Sequence, residues 1–466
     1  MLRQNLDPLL KPKTLAVVGA SEDATKIGGR FIISFIKAGF TGKLYPIHLK
    51  LNEIMGLKAF PSVLHVPDEI DLALLTIPAT ATEDAMRQCA EKGVKFVVIH
   101  GTGFSEIGGL GRELETRVLE IARQGGVRIV GPNCMGLFCP HVKLNTIVAR
   151  YDIPFMPGPV GFFGQSGWVS ENTVLWGTQR GLCFSGAISS GNQADLGVQD
   201  YLDHFGRDIN TRVIGAYQEG VKDGRGLIEQ ARSITREKPI VIWKSGRSAA
   251  GARAVASHTA SLAGSSQAMD AAFKQAGIVR AQGLEDLHDL LVAFSSSHLP
   301  RGDRIGVLVE SGGGGAAAAD ACEVLGLNVP PIPEAVQGEF KAFIKGKIPP
   351  TSGMSNPVDV AWAPAQDTRG FWLGCMEILL KAVDVLLVIH YHDMTDQQFI
   401  DGVNGLVNQS LKPIILIPGH STTQVEGMAK CVRNGIPAYP TPERAVGAIK
   451  AMLEYVAYLE NTRYGR

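Results

Sequence analysis

The sequence predicts an α/β protein of three consecutive parallel-sheet domains, and three observations predict it. Short apolar runs alternate with longer amphipathic stretches along the whole chain. The runs are punctuated by Gly, Pro, Ser or Asn, the residues that turn a strand toward a helix. A length of 466 residues, at roughly 150 per domain, makes about three domains. Hydrophobic residues make up 45% of the chain, enough for several cores, which excludes general disorder.

The first unit runs from about residue 10 to about 140. TLAVVGAS, KLYPIHL, LALLTIP, FVVIHG and VRIVGPN read as strands, with helical patterns such as GRFIISFIKAGF and ATEDAMRQCAEKG between them. That rhythm is βαβ repetition, hence a parallel sheet with helices on both faces. A second unit follows Pro154, Pro157 and Pro159, with strands VGFFG, FSGAISSG, VIGAYQEG and PIVIWKSG and a closing helix near residue 296. HLPRGDR (298–304) reads as a linker. The third unit carries RIGVLVESGGGG, VDVLLVIHYH, KPIILIPG and a final helix over about 441–460. The expected domains are 1–145, 155–297 and 303–466.

Composition bounds the function. Lys+Arg and Asp+Glu are both 45, so the net charge is +0 and there is no global pull toward nucleic acid or an anionic membrane. Glycine, at 54 residues or about 12%, exceeds the usual ~7% and implies many tight turns or close backbone approaches. The seven cysteines (89, 134, 139, 183, 322, 375 and 431) lack CxxC spacing and fit reduced thiols in a cytoplasmic protein. The N-terminus, MLRQNLDPLLKPK, does not read as a signal peptide, and no apolar run approaches the ~18 residues that span a bilayer.

Five segments carry candidate chemistry. Gly19-Ala20-Ser21, with Gly28-Gly29 downstream, follows a strand and opens a helix, where backbone N–H groups can hold a phosphate. It is not G-x-G-x-x-G, and Pro46-Ile47-His48 replaces the acid that would hold a ribose, so NAD is not expected. Gly164-Gln165-Ser166-Gly167-Trp168 resembles a nucleophile elbow but has Trp where G-x-S-x-G requires Gly; the other readings are an anion-binding or an ordinary helix start. Ser257-His258-Thr259-Ala260-Ser261 places one imidazole among small residues between two helical regions, sterically open to act as a nucleophile. Glu219 ends a strand where parallel sheets form ligand sites and can accept the imidazole N–H, or is a plain surface carboxylate. Gly312-Gly313-Gly314-Gly315 brings backbone close to a phosphate or to another segment, and Asn356-Pro357-Val358-Asp359 reads as a structural turn. His390 and His392 share a strand face without a third ligand, so no metal site is predicted.

Together and in this order, VVGAS, LYPIH, TIPA, GTGFSE, Gly131-Pro132-Asn133-Cys134, GQSG, SSGNQADL, YQEGVKDGR, SHTASLAG, GGGG and NPVD resemble the α subunit of NDP-forming acyl-CoA synthetases, the ADP-forming acetyl-CoA synthetase family of the succinyl-CoA synthetase superfamily. The resemblance covers essentially the whole chain. It implies a Rossmann-like CoA-binding domain followed by two flavodoxin-like domains. It further implies a reversible acid–CoA ligase in which acyl-CoA and phosphate give acyl phosphate, and a histidine carries the phosphoryl group to ADP. By that resemblance His258 is the phosphorylated histidine and Glu219 its orienting carboxylate, while Ser166, Gly167 and Trp168 bind phosphate. CoA is implied at Gly19, Ala20, Ser21, Lys26, Gly28, Lys50, Pro78 and Asn133. No ATP-grasp module is evident, so ATP or ADP with Mg²⁺ is expected on a separate β subunit, in an α2β2 heterotetramer. Ile47-His48 departs from the family's Asn-Pro. Trp168, Trp243 and Trp362 either line an acyl pocket, which would favour larger or aromatic acids, or are ordinary buried core residues. The rival reading is a non-catalytic CoA or acyl-CoA binder of the same fold, which would need neither His258 nor Glu219.

Overall fold

The computed structural model describes residues 5–259, 266–295, 298–348, 353–364, 366–419 and 423–463. They form two compact units: residues 1–176 with 183–284, and residues 177–182 with 285–466.

The first unit begins with a short helix, α1 (Asp7–Leu10), and a five-stranded parallel sheet of β1 (Thr14–Val18), β2 (Lys43–Ile47), β5 (Leu72–Leu75), β6 (Phe96–Ile99) and β7 (Arg128–Val130). Its order is β2-β1-β5-β6-β7, with a small hairpin, β3 (Glu53–Ile54) and β4 (Leu57–Lys58), after β2. Phe60 adds one parallel bridge to Ile47, so the missing outer strand is reduced to a single pair. With it the order becomes that of a dinucleotide-binding sheet, whose crevice opens where β1 meets β5. LALL and FVVI are buried throughout, as expected of strands covered on both faces by α2 (Ile27–Ala38), α3 (Thr82–Lys92) and α4 (Gly109–Gln124). Alpha-helix α2 is held by the Phe31, Ile32 and Phe35 face it buries.

The second sheet of this unit has seven strands in the order β14-β13-β12-β10-β11-β8-β9. They are β8 (Gly136–Cys139), β9 (Leu144–Asn145), β10 (Pro157–Gly164), β11 (Phe184–Ser189), β12 (Val213–Gln218), β13 (Ile240–Lys244) and β14 (Ile278–Ala281). The five from β10 to β14 are parallel in the doubly wound order with a switch point between β10 and β12. Residues 136–145, read in sequence as the end of the first domain, instead form an antiparallel ribbon on the edge of this sheet, with Ser189 opposite Gly136. The helices are α5 (Gly167–Gln179), α6 (Val198–Arg207), α7 (Gly224–Ile234), α8 (Ala249–Thr259) and α9 (Ser266–Gln275).

The second unit contains nearly all of α10 (Leu284–Ser295), which the sequence reading places at the end of the second domain. Its parallel sheet has the order β16-β15-β17-β18, with β15 (Ile305–Val309), β16 (Val358–Asp359), β17 (Val385–His390) and β18 (Ile414–Pro418). Ala438 adds a bridge to Leu416 beyond β18. Around it lie α11 (Gly312–Val324), α12 (Glu334–Ile344), α13 (Thr368–Leu379), α14 (Gln397–Ser410), α15 (Gln424–Arg433) and α16 (Pro442–Arg463). Buried Asp289 on α10 accepts from Arg180 and Arg444, and its backbone carbonyl accepts from the Tyr439 hydroxyl at 3.0 Å. No helix of the described residues is long and apolar enough to cross a membrane.

Candidate active site

In the second sheet, the switch point brings together two segments that lie far apart in sequence. Strand β10 ends at Gly164 and β12 at Gln218, adjacent and parallel, with Gly164 opposite Tyr217. The Gln165 side-chain oxygen accepts the backbone N–H groups of Glu219 at 2.6 Å and Gly220 at 3.0 Å, while Gln165 N–H donates to Tyr217 O at 3.2 Å. One glutamine therefore fixes the turn after β10 against the turn after β12. The sequence reading names Gln165 within its segment but gives it no role, because a polar side chain that binds distant backbone has no local signature.

Ser166 stands just before α5, and its hydroxyl accepts Val169 N–H at 3.3 Å, the bond of an N-cap. The hydroxyl is thereby occupied as an acceptor, which leaves the first-turn N–H groups of Gly167 and Trp168 to meet an anion at the positive end of a 13-residue helix. Trp168 is 58% exposed and packs edge-on against Trp176, so the mouth is flanked by an indole. Glu219 is only 7% exposed and accepts from the Tyr217 hydroxyl at 3.3 Å. Burial, with the Glu219 carboxylate beside it, pushes the Tyr217 hydroxyl up to about 12, so the phenol stays a neutral donor.

Lys244 at the end of β13 donates to the carbonyls of Glu219 and Ser245, at 2.7 and 2.8 Å. Burial, and then Arg280, lower its pKa. Lys222 donates to Gln193 O at 2.6 Å, and Gln193 is itself held at positive φ against Ser190. These residues, given no role in the sequence reading, form the polar wall behind the turn.

His258 lies in the last turn of α8, so the helix runs into the segment expected as a loop; the alanines of AAGARAVA favour that continuation. The His258 side chain and residues 260–265 lie outside the described residues.

In the first sheet, the expected CoA residues lie after the carboxyl ends of β1, β2, β5 and β7 and at the start of α2. Gly19, at φ +88°, has Thr76 and Ile77 where its Cβ would be, and a Cβ on Gly28 would meet Gly19 O at 2.1 Å. Only glycines let α2 start this close to the turn. Gly19 and Ala20 N–H both donate to Ile47 O at 3.2 Å, so those two groups are already used. The amides left open there are those of the first turn of α2 itself, after exposed Lys26 at its N-cap position. Ser21 Oγ accepts from Asp23 N–H. Pro78 is exposed at the β5 end, and Asn133 is held at φ +57° with its N–H on Gly101 O. Lys50 is exposed after β2. The Ile47-His48 departure has a local role: His48 Nδ1 accepts the N–H groups of Lys50 and Leu51, both at 3.1 Å, and closes the turn.

The two sheets meet through a second polar cluster. Asn192 donates to Glu106, Glu115 and Ser105 at 2.6, 3.1 and 3.2 Å, and its N–H reaches Pro132 O at 3.0 Å. Burial would raise the Glu106 carboxyl, but Asn192 and the N–H groups of Gly103 and Phe104 hold it below its usual range. A Cβ on Gly191 would lie 2.2 Å from Pro132 O, so the Gly131-Pro132-Asn133 turn is pressed directly on the turn after β11. Among the described residues no group of three His, Cys, Asp or Glu side chains is placed to hold a metal.

Comparison with known proteins decides the family. Residues 13–140 match the CoA binding domain and residues 157–294 the succinyl-CoA ligase like flavodoxin domain. The chain is 36% identical over 460 residues to the α subunit of acetate–CoA ligase [ADP-forming] I of Pyrococcus furiosus, covering 97% of this chain and 98% of that one. It belongs to the α-subunit family of ADP-forming acyl-CoA ligases. The acetate–CoA ligase [ADP-forming] of Methanocaldococcus jannaschii is 35% identical over 97% of this ligase subunit, which spans 65% of that longer chain. The solved dinucleotide forming acetyl-coenzyme A synthetase 1 of Candidatus Korarchaeum cryptofilum, in complex with phosphate and ADP, superposes with a TM-score of 0.87 at 33% identity over 99% of both chains.

Proposed function

We propose that this ligase subunit binds CoA on its first sheet and carries a phosphoryl group on His258 between acyl phosphate and ADP. The observation that supports the reading most is the Gln165 clamp, which sets an anion-accepting helix start beside buried Glu219 at one switch point. Acyl-CoA and phosphate exchange to acyl phosphate and free CoA; neutral imidazole then takes the phosphoryl group and releases the acid. The first-turn N–H groups of α5 offset the phosphate charge, and Glu219 orients the imidazole through its N–H. The domains act as a CoA-binding domain over 1–145, a phosphohistidine domain over 155–297 and a third domain over 303–466. An ATP-grasp β subunit supplies ATP or ADP with Mg²⁺ in an α2β2 assembly, in the cytoplasm. The M. jannaschii relative, longer by about the size of such a module, supports this partner.

Intact-mass analysis tests it. The purified chain is incubated with an acyl-CoA panel and phosphate, with and without β subunit and ATP. An acid-labile gain of one phosphoryl group mapping to His258 is the expected result. No phosphorylation with a competent partner present and CoA bound would overturn it in favour of a non-catalytic acyl-CoA binder.

A further inference from the structure

Glu219 is gripped through its backbone from two directions. Its N–H donates to Gln165, on the turn that opens α5. Its carbonyl accepts from the Lys244 ammonium at 2.7 Å, at the end of the neighbouring strand β13. The same ammonium donates to Ser245 O at 2.8 Å, so one cation bridges the turn after β12 and the turn after β13. Ser245 returns the contact: its N–H and its hydroxyl both donate to Gln218 O, at 3.0 and 3.4 Å. Three direct bonds therefore join Gln218 and Glu219 to the residues that lead away from β13.

The turn after β13 is short. Ser248, three residues beyond Ser245, is the N-cap of α8: its hydroxyl accepts Gly251 N–H at 3.0 Å and its carbonyl accepts Ala252 N–H at 2.8 Å. Helix α8 carries His258 in its last turn. The base of that helix is thus tied, through Lys244, to the backbone of the residue expected to orient the histidine. Gln165 does the same for the base of α5, so Glu219 is fastened to both helix starts.

A lysine suits this place for two reasons. An ammonium has three N–H donors and no acceptor, so it serves two carbonyls at once. It also brings a positive charge within reach of the carboxylate: burial and Arg280 lower the Lys244 pKa, and the Glu219 carboxylate acts against them. A half-buried cation beside a buried carboxylate limits the repulsion that an arriving phosphoryl group adds.

We propose that Lys244 is a positioning residue of the ligase, holding Glu219 at a fixed offset from the helix that carries His258. This role rests on the ligase reading above, in which Glu219 orients His258. In the step it serves, an imidazole nitrogen bonds to phosphorus as the bond from phosphorus to the acyl oxygen breaks, and the electron pair leaves with the carboxylate. Lys244 acts on that step through the Glu219 backbone. A shift of about 1 Å in such a pair costs on the order of a hundredfold in rate.

Rapid-quench labelling of the complete ligase, chain and β subunit together, tests it with radiolabelled phosphate and saturating acetyl-, butyryl- or benzoyl-CoA. K244M keeps the stem but loses both bonds. It should slow phosphohistidine formation roughly ten- to a hundredfold, with KM for acyl-CoA and CoA affinity within about twofold of wild type. K244R, which restores cationic N–H donors, should recover part of the rate. Should K244M not fold, K244Q, with neutral donors on a shorter stem, is expected to show the loss of rate instead. A wild-type rate in the folded variant would overturn the role. So would a rate loss matched by equal losses in CoA affinity and melting temperature that K244R does not repair, the mark of a fold staple alone. No label on His258 of the wild-type ligase would overturn the reading of that histidine, and this role with it.

Discussion

The side-chain oxygen of Gln165 lies 2.6 Å from the backbone nitrogen of Glu219, two residues 54 positions apart in sequence. The turn that carries Glu219 is thus fixed by a residue on the turn proposed to bind phosphate. Substituting Gln165→Ala leaves two partly buried N–H groups unpaired, at about 1–3 kcal/mol. Urea unfolding should show that loss, and net acyl-CoA synthesis should fall at least tenfold while CoA affinity holds. Q165E keeps the acceptor and should recover most of the stability.

A second expectation concerns His258. H258A should eliminate the acid-labile phosphoryl label and net synthesis while CoA binds within a few-fold of wild type. Loss of CoA binding in that variant would show that the residue serves the fold or the CoA surface instead.

The start of α2 is set by glycine. Gly28→Ala places a methyl carbon 2.1 Å from Gly19 O, a contact that backbone must move to relieve. CoA binding should weaken at least tenfold, together with a lower melting temperature. Gly224→Ala, at a helix start with open space around it, should leave both unchanged.

Three histidines make the protein acid-sensitive. Burial holds His100 at about 4 and His288 and His390 at about 3, with neighbouring Arg180 and Arg444 adding to the effect at His288 and His392 at His390. The unfolded imidazole titrates near 6.5, so the unfolded chain takes up protons first as pH falls. Stability is then complete above that pH and declines below it, by about 2 kcal/mol per histidine at pH 5. H390F, whose ring would sit between Trp372 and Phe399, should remove one histidine's share of the slope in urea unfolding across pH 5–7.

In the second unit, Asp289 holds two guanidinium groups with its side chain 8% exposed. D289A leaves both cations to Glu285 alone, which is exposed and lies 2.8 Å from Arg444 and 3.8 Å from Arg180, and should cost less than the about 3–5 kcal/mol of a wholly unpaired buried charge. Limited proteolysis followed by mass mapping should show cuts confined to residues 285–466.

Much of this arrangement was legible from local pattern. Strand-turn-helix signals located the Gly19, Ser166 and Glu219 segments, because each is a contiguous run whose chemistry is written in neighbouring residues. The groups that join segments were not legible: Gln165, Asn192, Gln193 and Lys222 all bind backbone or side chains brought near only by topology. The Gly19 and Ala20 amides looked available for phosphate, yet parallel pairing of β1 with β2 places Ile47 O beside both. Residues 136–145 followed directly on a first-sheet strand, and only the tertiary fold reveals which edge they join.

That last ribbon bears on how such chains can be divided. Strand β11 would be a bare, largely hydrophobic margin without β8 laid against it, and exposed margins of that kind recruit other chains. A fragment beginning at residue 150 would keep the turn after β10 but lose the edge cover of β11 and aggregate. A fragment beginning near residue 134 would retain the cover while cutting through the Gly131-Pro132-Asn133 turn. The first and second sheets are therefore interlocked, and shuffling them as independent cassettes requires borrowing a strand from one to finish the other.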